Sequence, residues 1–166
     1  MKILKNRHYE TPFPFPKFYF GNKIMETTYK FTFTESCKYD LDKDQNDINK
    51  LFGFGYGYHH NISDRVGWRY DPESNQIELL TYIYNNKKRK SRHIAWVNLW
   101  ESVVITIKAQ LDYNTGGIVT HFIVKIGDST IETIDYKQIA GFSKWFKYSL
   151  GGYFGGNRKA PHDIYL

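Results

Sequence analysis

The chain has 166 residues, a net charge of +6 at neutral pH and a single cysteine, Cys37. That length supports one domain with a buried core, the lone cysteine excludes an internal disulfide, and the positive charge favours anionic partners over cationic ones. Aromatic residues (14 Tyr, 12 Phe and 4 Trp) make up 18% of the chain, an excess that favours strands and leaves aromatic area for a binding face.

Met1-Lys2-Ile3-Leu4 runs directly into Lys5-Asn6-Arg7-His8, without the apolar core of a secretory signal. No stretch is long enough for a transmembrane helix. These features predict a soluble protein with no membrane partner. Residues 11–20 then alternate Pro with Phe. Proline fixes φ and removes a donor, so the segment is expected to be extended. Its aromatics Phe13, Phe15, Phe18, Tyr19 and Phe20 have two outlets: the domain's own edge or a neighbouring subunit. Residues 1–22 are therefore read as an arm that serves assembly, and residues 23–166 as the folded domain.

Residues 27–34 alternate strictly, with Tyr29, Phe31 and Phe33 on one face, as in a half-buried strand. The acidic run from Asp40 to Asp47 places oxygen ligands at alternate positions. It lacks the glycine and the terminal glutamate of a calcium loop, since Gln45 and Leu51 stand there. A short helix is expected over 45–52 instead, because Asp47, Ile48, Leu51 and Phe52 have helical spacing. Strands are predicted at 66–70, 77–84, 93–99, 103–111, 119–126, 130–134, 144–150 and 164–166, joined by turn-like links. Lys87-Lys88-Arg89-Lys90 with Arg92 fits a solvated hairpin tip. The predicted fold is an all-β, single-domain antiparallel β-sandwich, a jelly roll, with one short helix and an extended N-terminal arm.

The central block alternates glycine and aromatic residues in Gly53-Phe54-Gly55-Tyr56-Gly57-Tyr58. It continues through His59, His60, Asn61, Ser63, Arg65, Trp68 and Arg69. Strand alternation sends Arg65, Gly67 and Arg69 to one face and Val66, Trp68 and Tyr70 to the other. The expected ligand-binding set is His59, His60, Asn61, Arg65, Arg69, Tyr82 and Tyr84. Arg and Asn neutralise a carboxylate, while His and Tyr exchange protons, the equipment of uronate β-elimination as well as of glycan contact. No catalytic residue is assigned. No metal or cofactor is expected: adjacent strand residues such as His59 and His60 should point apart, no HExxH motif exists, and the glycine run lacks the Lys-Ser/Thr of a phosphate loop. Nucleic acid is not an expected partner, since no recognised binding motif is present.

The closing segment Leu150-Gly151-Gly152-Tyr153-Phe154-Gly155-Gly156-Asn157, followed by Ala160-Pro161, resembles the end of concanavalin-like jelly rolls in carbohydrate-active proteins. The stretch from His59 to Arg69, with Leu80-Thr81-Tyr82-Ile83-Tyr84, is similar to β-sandwich proteins of gut bacteria and their phages. The resemblance implies a jelly roll and, with no export signal visible, a non-enzymatic structural protein of a phage particle, in the head or tail, that contacts glycans. The expected partners are other virion proteins or further copies of itself, and the expected location is the virion, otherwise the cytoplasm. The alternatives are a small lyase or hydrolase on acidic polysaccharide, or a stand-alone carbohydrate-binding module. The carboxylate pair of a glucanase-type hydrolase is missing, which favours binding.

Overall fold

A computed structural model describes residues 1–166, and it is an antiparallel β-sandwich. The larger sheet has six strands: β2 (Phe18–Phe20), β11 (Phe146–Leu150), β4 (Asn49–Tyr56), β5 (Ser63–Asp71), β6 (Gln76–Asn85) and β7 (Lys88–Asn98), in that spatial order. The smaller has four, ordered β10 (Ser129–Lys137), β9 (Ile118–Ile126), β8 (Ser102–Leu111) and β3 (Met25–Thr32). The chain ends meet in a third pairing, β1 (Lys2–Ile3) with β12 (Ile164–Tyr165). This strand order is compatible with a jelly roll. No helix is long and apolar enough to cross a membrane.

Alternation builds the core. Val103, Ile105, Ile107, Ala109 and Leu111 of β8 point inward, and β9 answers with Ile118, Phe122 and Val124. From the facing sheet come Val66, Trp68 and Tyr70, with Trp68 fully buried. Each fully buried aliphatic or aromatic side chain contributes about 1.5–3 kcal/mol. One polar tie crosses this apolar interior. Asp64 of β5 pairs with Lys137 of β10, and its Oδ2 accepts hydrogen bonds from Tyr56 (2.8 Å) and Thr120 (2.6 Å). Burial and the neighbouring Asp64 carboxylate raise the Tyr56 phenol well above its usual range, which keeps it a hydrogen-bond donor.

The helix expected over 45–52 is not formed. The second half of that segment, from Asn49, is the start of β4, and the short helix, α1, lies at Phe142–Trp145. The cause is a bulge: the register with β5 slips between Lys50 and Phe52, so Leu51 and Phe52 both turn inward. Two successive buried residues in a strand mimic helical spacing. The run before it makes a short 3-10 turn at Asp42–Asp44. Its side chains fasten the C-terminal loop, Asp44 to Arg158 at 2.9 Å and Asp47 to the Gly156 amide at 3.2 Å.

The strand predicted at 93–99 begins earlier, at Lys88, because Asn86 and Lys87 both take positive φ. Two such residues form the tight turn that continues a right-twisted hairpin. Cys37 is buried just after β3, and burial pushes its thiol up to about 12. The first twenty residues lie against the sandwich. Ile3 is buried, β2 pairs with β11, and Phe18 and Phe20 rest on Phe146 and Trp145. Tyr19 meets Phe54 edge-on, while Phe13 is mostly exposed and Phe15 is 97% exposed.

Candidate functional site

The outer face of the six-stranded sheet carries the site. Its register aligns Leu150, Gly53, Arg65, Tyr82 and Ser91 in one row across five strands. The next row is Tyr148, Gly55, Ser63, Tyr84 and Arg89. The glycines of β4 therefore face outward, and Phe54 and Tyr56 fill the core. A Cβ at Gly53 would stand 2.0 Å from the Asp64 carbonyl and 2.6 Å from Arg65 Cα. Its absence lets Arg65 lie across β4 and donate from Nη2 to the Gly151 carbonyl. A Cβ at Gly55 would be 2.9 Å from the Tyr148 ring and 3.1 Å from His59 Cβ. Glycine there lets His59 and Tyr148 close to a 2.9 Å hydrogen bond. The alternation of glycine and aromatic residues thus hollows one face of the sheet and packs the other.

The hollow is a cleft of about 780 Å³. His59, His60, Arg65, Tyr82 and Tyr84 all line it, with the arm residues Phe13 and Phe15 as one wall. His59 and His60 sit in the turn after β4, where Gly57 takes φ +65°. Their rings lie 4.3 Å apart, so they do not point to opposite faces as strand alternation predicts. Two residues of the predicted set lie elsewhere. Arg69 pairs with Glu78 at 2.6 Å and donates to Asn46, in a second, smaller hollow beside Trp96. His93 holds the other oxygen of Glu78 at 2.9 Å, so both carboxylate oxygens are occupied away from the cleft. Asn61 lies in the turn outside the lining, its backbone N–H donating to the Tyr58 carbonyl and its backbone carbonyl accepting from the Lys87 N–H.

The structure adds residues that sequence reasoning missed. Lys50, from the bulged stretch of β4, is only 7% exposed. Its Nζ donates to the Gly155 carbonyl (2.9 Å) and lies 4.6 Å from the centre of the Tyr82 ring and 5.2 Å from that of Tyr153. Arg89 reaches back from the basic hairpin to within 6.0 Å of Tyr82. Tyr153 enters from the C-terminal loop, bridged to Lys50 on one side and Tyr9 on the other. A lysine inside the apolar run from Ile48 to Phe54 was the available signal for Lys50. A charge in a buried run needs either a partner or a purpose.

The electrostatics are one-sided. Neither Lys50 nor Arg65 takes part in any ion pair. The one carboxylate in the cleft lining, Glu10, accepts from the Gly152 amide at 2.6 Å. Burial, then repulsion from Arg65, brings the Lys50 ammonium down to about 8. Burial draws the Arg65 guanidinium down to about 10, and its buried Nε has no hydrogen-bond partner. Burial, with His60 and Arg65 adding to it, lowers His59 to about 4, so its ring is neutral at pH 7. The Tyr82 phenol is pushed up to about 12, chiefly by burial, and stays a donor. The cleft therefore offers protonated phenols, a neutral imidazole and cations, an arrangement suited to an anion or a hydroxyl-rich ligand. No group of three or more His, Cys, Asp or Glu residues is placed to hold a metal ion. No family model and no curated protein matches the chain.

Proposed function

We propose that this chain is a non-enzymatic glycan-contacting β-sandwich protein that binds its ligand in the cleft above β4, β5 and β6. The observation that carries the reading is the lining itself. Phenol rings from four separate segments (Tyr9, Tyr82, Tyr148 and Tyr153) surround a cleft with room for a few sugar residues. Tyrosine offers an apolar face for a sugar ring and a hydroxyl for its oxygens. The lining lacks the pair of carboxylates that hydrolysis of a glycosidic bond uses. The proposed setting is a phage particle, supported by the resemblance carried by the His59–Arg69 stretch and the closing YFGGN segment. The proposed partners are other virion proteins or further copies of the chain.

The reading is tested with a panel of polysaccharides by affinity electrophoresis. Tyr82→Ala is expected to weaken binding by about tenfold or more, through loss of its hydroxyl and of the ring against which Lys50 and Arg89 lie. Equal retardation of wild type and variant by every retarding polymer would remove the cleft from the account.

One observation supports a second reading, a lyase on uronate polymers. His59 is neutral, shares its Nδ1 hydrogen bond with Tyr148, and sits close enough to Arg65 to be depressed by its charge. A neutral base, a phenol acid and a cation for the carboxylate are the components of β-elimination. Ultraviolet absorbance from unsaturated product on pectin or alginate, lost in His59→Ala, decides for it. No absorbance at high protein concentration decides against it.

A further inference from the structure

We propose that the floor of the cleft is a subsite for an oxyanion carried by a sugar, a carboxylate or a sulfate ester, held by Lys50, Arg65 and Arg89. The proposal rests on the glycan reading above and specifies the ligand's charge.

Three cations converge on one tyrosine. Lys50 Nζ and Arg89 Cζ lie 4.6 and 6.0 Å from the centre of the Tyr82 ring, and Arg65 is its direct neighbour in register. Lys50 is depressed partly because Arg65 and Arg89 repel it. Crowded like charges with no ion-pair partner, one of them buried, cost stability, and such arrangements cluster where a ligand supplies the opposite sign. The donor inventory is incomplete in the same place. Lys50 Nζ has three protons and one protein acceptor, the Gly155 carbonyl. Arg65 spends Nη2 on Gly151, while its Nε is buried without a partner. Free donors on a guanidinium and an ammonium match the two oxygens of a carboxylate or two of a sulfate.

The placement of charge favours a sugar acid over nucleic acid. A polynucleotide is held by exposed cations that follow its repeating phosphates. Lys50 and Arg65 instead lie sunken beneath tyrosines, where a single substituent on a ring can reach them. The exposed Lys87, Lys88 and Lys90 stand on the hairpin tip, outside the lining.

The test uses the full chain in calorimetric titrations at matched ionic strength. The ligands are a galacturonic acid oligomer, its methyl ester, a sulfated galactan oligomer with its unsulfated form, and an oligo-dT. At least one anionic sugar should bind tenfold or more tighter than its neutral counterpart, and whichever does so identifies the oxyanion. Arg89→Gln, a substitution of an exposed side chain, should weaken the charged form several-fold more than the neutral form and so reduce that preference. Lys50→Met should do the same. Equal affinity for charged and neutral forms would overturn the subsite and leave the glycan reading standing. An unchanged preference in both variants would also overturn it, as would tighter binding of oligo-dT. Failure of every sugar to bind would overturn both.

Discussion

Lys50 shows how one residue links the stability of the sheet to its use. It lies on the outer face of β4, beneath Tyr82 and Tyr153, with Arg65 and Arg89 nearby and Asp47 as its only attractive charge. A lysine whose folded pKa is lowered destabilises the fold while it is charged. That cost is fully present below its folded value of about 8 and disappears as pH rises toward the unfolded value of 10.5. Lys50→Met should therefore be more stable than wild type at pH 7, by up to about 3 kcal/mol. Urea denaturation at pH 7 and pH 10 should show that gap closing. A gap that is the same at both pH values would show that desolvation of the charge is not its source. Arg65 was legible from alternation alone, because one well-defined strand fixed its face. Lys50 was not, because a bulge next to it disguised the strand as a helix.

At the scale of elements, β4 sets the shape of the cleft. Its outward glycines leave a channel for Arg65 and a seat for the His59–Tyr148 pair, and its inward Phe52, Phe54 and Tyr56 close the core. Gly53→Ala brings a methyl group onto the backbone of β5, which cannot step aside as a flexible side chain would. The expected cost is about 1–3 kcal/mol, or more if the sheet cannot shift, together with loss of ligand binding. Denaturant titration alongside affinity electrophoresis measures both. Retained stability and retained binding would show that the channel is not needed. The glycine–aromatic alternation was plain in the sequence, and so was the division of Arg65 and Trp68 between faces. The direction each side took needed the third dimension, since alternation assigns residues to two faces without saying which is the core. Arg69 shares its face with Arg65, yet Glu78 neutralises it in a separate cluster that also holds His93. Only cross-strand register separates the two arginines.

For the whole molecule, the two sheets are joined by an apolar interior with one fully buried charged tie, Asp64 to Lys137, made between residues 73 positions apart. Removing one partner of a buried pair of this kind costs about 3–5 kcal/mol. No local pattern announces such a tie, whereas period-two alternation announced most of the strands around it. The N-terminal segment shows the same limit. Its proline–phenylalanine alternation points to extended chain, but not to an arm that walls the cleft with Phe13 and Phe15 while Phe18 and Phe20 join an aromatic rim with Phe142 and Trp145. That rim and the cleft are two separate surfaces open to a ligand. Titration of isotopically labelled protein with a galacturonic acid oligomer, followed by NMR, separates them most directly. Resonances of Lys50, Gly53, Arg65, Tyr82, Tyr84 and Tyr148 should move together and saturate together. Saturating shifts confined to Phe18, Phe20, Phe142 and Trp145, with the cleft silent, would contradict the account.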